Sequence, residues 1–112
     1  MDIDSAVLAE GYVGELQDVL IAPRERECLP CYVTRMLAEF GCTGTLRWSE
    51  HWRDTCAPRA TALADRLGSR GGFCDCEVLL NVYPERLVEE GEPVPACAGV
   101  SRRGSTQPCL LR

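Results

Sequence analysis

The chain has 112 residues, 46% hydrophobic and 26% charged, which allows one globular core and excludes a wholly disordered chain. Its net charge of -5 argues against a nucleic-acid or anionic-membrane surface as the main partner. No apolar run approaches the roughly 18 residues of a membrane helix, and the opening Met1-Asp2-Ile3-Asp4 lacks the basic and apolar stretches of a secretory signal.

The expected compartment is therefore the cytoplasm, where stable disulfides are rare. Eight cysteines, at positions 28, 31, 42, 56, 74, 76, 97 and 109, then read as thiols, thiolates or metal ligands. Lysine is absent and all twelve basic residues are arginine, a composition that fits a GC-rich bacterial genome.

In chain order, Ile3, Val7, Leu8, Leu16, Val19 and Leu20 roughly follow helical spacing, predicting a helix over 4–21 that ends before Pro23. Residues 1–22 form this N-terminal helix and residues 23–90 a cysteine-containing core domain. Leu29, Val33, Met36, Leu37 and Phe40 predict a second helix, with Pro30 in its first turn and Gly41 as its stop. Residues 43–48 read as a short strand, and Ser49 as the cap of a brief helical turn through Trp52. Pro58 opens a third helix carrying Leu63 and Leu67.

Residues 73–83 read as a second strand. Cys74, Cys76, Val78, Leu80 and Val82 share one face, and Phe73, Asp75, Glu77, Leu79, Asn81 and Tyr83 the other. On that reading Asp75 and Glu77 pair with arginines such as Arg35, Arg47 or Arg59, or face water. Gly71 and Gly72 make the turn before the strand, because no phosphate-loop pattern surrounds them. Residues 91–112, with three Pro, three Gly and two Ser among few large apolar groups, read as a flexible tail in which Cys97 and Cys109 are spare thiols. Cys56 reads as exposed and incidental, and His51 as a partly exposed, neutral histidine.

The fold class expected from these elements is α+β: two or three helices packed on a two- or three-stranded sheet, with a structural metal site. Zinc takes thiolates in a tetrahedron with Zn–S near 2.3 Å. Cys28-Leu-Pro-Cys31 and Cys74-Asp-Cys76 can each supply two, although 42 residues lie between them. Cys42 is the competing candidate. A helix over 31–40 would hold it about 15 Å from Cys31 at 1.5 Å per residue. Parallel strands would put Cys42 beside Cys74 and Cys76, leaving three thiolates and an open fourth position. Antiparallel strands would bring Cys28 and Cys31 to the Cys74 end.

Four segments resemble a known family: Arg26-Glu-Cys-Leu-Pro-Cys-Tyr, Gly41-Cys-Thr-Gly-Thr-Leu-Arg-Trp, Ala57-Pro-Arg-Ala-Thr and Gly71-Gly-Phe-Cys-Asp-Cys-Glu-Val. Together they are similar to the bacterial domain-of-unknown-function family numbered 2695, over about half the chain. The resemblance implies no activity. Shorter members carry Cys-Asp-His where this chain has Cys42-Thr43-Gly44. For them it implies a zinc tetrad of Cys-x-His facing Cys-x-Cys, and for this chain a substitution by Cys28 or Cys31.

The function expected is a zinc-stabilised, non-enzymatic binding or regulatory module with a protein partner, and with neither nucleic acid nor membrane. The competing reading is a thiol redox protein, or a metal-dependent enzyme with an open coordination position.

Overall fold

The structure, a computed structural model, describes residues 19–88 and 92–110. The helix read over 4–21 lies outside the described residues except for its end, where residues 19–21 are helical. Four helices follow: α1 (Leu29–Phe40), α2 (Arg47–Cys56), α3 (Leu63–Ser69) and α4 (Asp75–Glu77). A π-helical turn, Val78–Val82, continues α4 without a break, and a 3-10 turn, Pro84–Arg86, follows it. Among the described residues there is no β-strand. The α+β expectation is therefore corrected: the fold is a small helical one.

Helix α1 forms as its sequence predicts. Pro30 sits in the first turn, and Gly41 (φ 78°) stops the helix with its N–H donating to the Leu37 carbonyl. Leu29, Tyr32, Val33 and Met36 are its buried stripe. Trp48 and Trp52 of α2, Leu63 and Leu67 of α3, and Val78 and Leu79 complete the core. Three aromatic groups satisfy their polar ends on backbone carbonyls: Tyr32 on Ile21 (2.6 Å), Trp48 on Gly41 (3.1 Å) and Trp52 on Glu27 (2.9 Å). Phe40, read as part of the apolar stripe, is exposed.

Both predicted strands are helical or irregular. Residues 42–46 form an irregular connection, and α2 begins at Arg47. Ser49 lies inside α2 rather than capping it. The cap comes from a distant residue: Asp75, fully buried, accepts from Trp48 N–H (2.9 Å), Ser49 N–H (3.0 Å) and Ser49 hydroxyl (2.8 Å). A carboxylate here meets the unpaired donors and positive dipole end of the helix. Asp75 therefore neither pairs with an arginine nor faces solvent.

Residues 75–82 hide a helical stripe behind an alternating sequence. Asp75, Val78 and Leu79 are buried and Val82 packs on the core, at spacings i, i+3, i+4 and i+7. The Gly71–Gly72 turn joins two helices rather than a helix and a strand. Pro58 lies in a turn ahead of α3, which starts at Leu63.

Candidate metal centre

Cys28 and Cys31 stand at the start of α1, where Cys28 is the N-cap residue. The sulfurs of Cys28, Cys31, Cys97 and Cys109 all lie within 4.8 Å of one another, and Cys31 Sγ is 3.7 Å from Cys109 Sγ. Sulfurs bound tetrahedrally at about 2.3 Å are roughly 3.8 Å apart. The group is therefore close to the spacing that one ion requires. Cys97 and Cys109, which the sequence offered only as spare thiols, supply its second half.

Backbone N–H groups converge on these sulfurs. Cys28 and Gly99 each donate to Cys97 Sγ at 3.3 Å. The nearby amides of Cys109 and Cys31 lower the Cys28 thiol, and that of Ala98 lowers Cys109. Such donors favour sulfur in its thiolate form. Arg86, from the 3-10 turn, adds a full positive charge. Its guanidinium donates to Cys109 Sγ (3.2 Å), to Cys31 Sγ (3.7 Å) and to the Cys109 carbonyl.

Proton affinities split accordingly. Cys28 is pulled down from an ordinary 9.0 to about 5, chiefly by a hydrogen bond from the Cys31 thiol, against the upward push of burial. Cys31 is driven far up by the same bond, by burial and by the negative charge on Cys28. Burial raises Cys97. Burial also pushes Cys109 up, but Arg86 and the Ala98 amide bring it below the usual thiol value.

The neighbourhood is clamped from both chain directions. Val100 N–H donates to the Arg26 carbonyl (2.8 Å), while the Arg26 guanidinium returns bonds to the carbonyls of Val100 (2.8 Å) and Ser101 (2.9 Å). Glu27 is buried and holds Arg35 through two bonds, of 2.8 and 3.1 Å. Arg26 adopts φ 60° and Gly99 φ 88°, so both lie in the left-handed region that disfavours most side chains. Both tight turns flank the cysteine group.

The other sequence candidates fall elsewhere. Cys42, Cys74 and Cys76 lie beyond the C-terminal end of α1, and their sulfurs are not gathered within 4.8 Å of one another as those of the Cys28 group are. Cys42 Sγ accepts from the amide of Gly44 (3.4 Å), and that bond, with the nearby Cys76 amide, holds the thiol below its usual value. The two groups are separated by the twelve residues of α1, about 18 Å at 1.5 Å per residue. Cys56 is half-buried and stands apart from both, and His51 is half-buried beside Tyr32. Sequence reasoning missed Cys97 and Cys109 because their signal was only Cys97-Ala-Gly99, a cysteine two residues before a glycine able to turn its amide back onto the sulfur.

The chain is 38% identical over 56 residues to an uncharacterized protein of Mycobacterium bovis and to uncharacterized proteins of two Mycobacterium tuberculosis strains. The match covers 50% of this chain and 57% of each relative, so the chain spans little more than half their length. No solved structure matches it. Cys31, Cys42, Cys74 and Cys76 fall within residues 29–81, the segment that matches the family model described as "Protein of unknown function (DUF2695)".

Proposed function

We propose that the protein is a small zinc-stapled binding or regulatory module of the bacterial cytoplasm, without catalytic activity of its own, and that it acts through a protein partner. The observation that carries this reading is the closed set of four cysteines, Cys28, Cys31, Cys97 and Cys109, within 4.8 Å. Four protein ligands make a structural zinc site, whereas a catalytic one keeps a position open. The four-sulfur donor set suits a soft or borderline cation and not magnesium or calcium.

A bound ion would gather thiolates that otherwise repel one another, and Arg86 would offset part of the remaining negative charge. It would also join the start of α1 to residues 97 and 109, a link otherwise made by a few hydrogen bonds. Binding energies of structural zinc, on the order of 10 kcal/mol in zinc-finger peptides, match the whole stability of a small domain.

The test is the metal content of the full chain purified without chelators, by native and elemental mass spectrometry, alongside a Cys97→Ser/Cys109→Ser variant. Tightly held zinc that resists a weak chelator in the parent, and is lost with stability in the variant, supports the reading. Four freely titrating thiols at these positions and no retained metal would refute it.

A further inference from the structure

We propose that the cavity between the end of α3 and residues 106–108 binds a phosphate monoester carried on an apolar body, with Arg66 and Arg70 holding the phosphate. The proposal goes beyond the metal reading and uses none of the cysteines as ligands.

The cavity has a volume of about 400 Å³, within the roughly 300–1,000 Å³ of small-molecule sites. Leu63, Leu67 and Val82 give it an apolar lining, beside Tyr83. Arg66 enters from the last turn of α3, and Arg70 from the residue that ends that helix. Residues 106–108 also line the cavity. They are held there without any metal: Cys109, the next residue, is buried, and its carbonyl accepts from the Arg86 guanidinium.

Charge and unmet polar groups point to the ligand. Arg66 and Arg70 are four residues apart at a helix end, so like charges stand side by side. Among the described residues neither guanidinium has an ion-pair or hydrogen-bond partner, and the Tyr83 hydroxyl has none either. Burial raises Tyr83, and the positive charges of Arg70 and Arg66 act in the opposite sense, so the three groups share one field. A guanidinium presents paired N–H donors that match phosphate and carboxylate oxygens. One guanidinium suffices for a carboxylate. A phosphate monoester, with three acceptor oxygens and a charge of about −1.5 to −2 near neutral pH, suits two. The apolar lining then receives the group esterified to it. Glu85 is the one acidic residue among those lining the cavity, and its charge opposes the anion.

The experiment titrates the reduced full chain, in phosphate-free buffer, with phenyl phosphate. Inorganic phosphate and phenol are the comparison probes, each carrying one half of that ligand. Affinities come from calorimetry, and the site from the shifts of amide and arginine side-chain N–H resonances. The parent is compared with Arg66→Gln, Arg70→Gln and Glu85→Gln. All three positions are exposed, and near-ultraviolet circular dichroism from Trp48 and Trp52 reports an unchanged fold.

The expected result is saturable binding of phenyl phosphate, tighter than that of either comparison probe, with shifts at Arg66, Arg70, Thr106 and Gln107. Arg66→Gln and Arg70→Gln should each weaken it by at least about tenfold, as losing a charged hydrogen bond does. Glu85→Gln should tighten it by about two- to fivefold, the size of an exposed charge interaction. The proposal is overturned by an absence of saturable binding, by an affinity unchanged in both arginine variants, or by shifts centred outside the cavity. Inorganic phosphate bound as tightly as phenyl phosphate would also overturn it, leaving an adventitious ion only.

Discussion

Asp75 and Arg86 show how much of this small fold rests on single polar side chains. Asp75 accepts three hydrogen bonds with no exposed surface, and each buried donor left unpaired costs about 1–3 kcal/mol. Asp75→Ala should therefore destabilise the chain by about 2–4 kcal/mol. Asp75→Asn, which keeps one accepting oxygen, should lose about half as much. Urea unfolding of the reduced, zinc-supplemented chain measures both. A change under about 0.5 kcal/mol for Asp75→Ala, the range of ordinary surface substitutions, would remove Asp75 from its capping role. Arg86 acts on the Cys28 group instead. Replacing it with glutamine removes the charge that faces Cys31 and Cys109 and should weaken zinc binding by about 10–100-fold. Competition with a chromophoric chelator reads the change, and an unaltered affinity would mean that the guanidinium only packs there.

At the scale of the element, the turn before α4 makes a sharper prediction. A Cβ on Gly72 would stand 3.0 Å from Val82 Cγ2, 3.1 Å from the Leu67 carbonyl oxygen and 3.2 Å from Val78 Cγ2. The Leu67 carbonyl belongs to the backbone and accepts the Gly72 amide at 2.8 Å, so it has little freedom to retreat. Gly72→Ala should cost about 1–3 kcal/mol, as overpacking does. Gly41→Ala meets nothing within 4 Å and should cost about 1–3 kcal/mol through its backbone alone, since φ 78° with ψ −179° is essentially confined to glycine. A loss under about 0.5 kcal/mol for Gly72→Ala in thermal melts would contradict the packing around Gly72. The same segment marks where the sequence could be read and where it could not. Helix α1 was legible because its apolar residues, Pro30 and Gly41 all lie on the helix they define. Helix α2 was not, because Leu46 offers no side-chain cap and its cap, Asp75, is 26 residues beyond Ser49. Residues 75–82 misled because the first buried position of their helical stripe is an aspartate. Without it, Val78, Leu80 and Val82 alternate like a strand. The cysteine site was legible in part. Cys28 and Cys31 carry a local ligand spacing, whereas Cys97 and Cys109 join them only through the path of the chain.

For the whole molecule, the Cys28 group couples the start of the helical core to residues 92–110, which contain no helix or strand. Val100 and Cys109 are buried only where this segment meets Arg26, Cys28 and Cys31. Removing metal from the reduced chain should thus speed hydrogen exchange at the Val100 amide far more than at amides within α1. Equal acceleration at both would show that the segment and the core open together. The metal-free chain should also have an unusual pH profile. Cys28, held at about 5 against an ordinary 9.0, and Cys109, also lowered, contribute stability that is present above pH 9 and is lost as the pH falls. For Cys28 that loss runs from about pH 9 to about pH 5. Cys31 and Cys97 are raised, so their contribution is present below pH 9 and is lost above it, where the unfolded thiols ionise and the folded ones resist. The opposing slopes put the maximum contribution of the group near pH 9. Urea midpoints of the metal-free chain from about pH 5 to about pH 11 measure the profile, and Cys28→Ser should flatten its acidic limb. An acidic limb that is the same in parent and variant would show that Cys28 carries no thiolate in the metal-free fold.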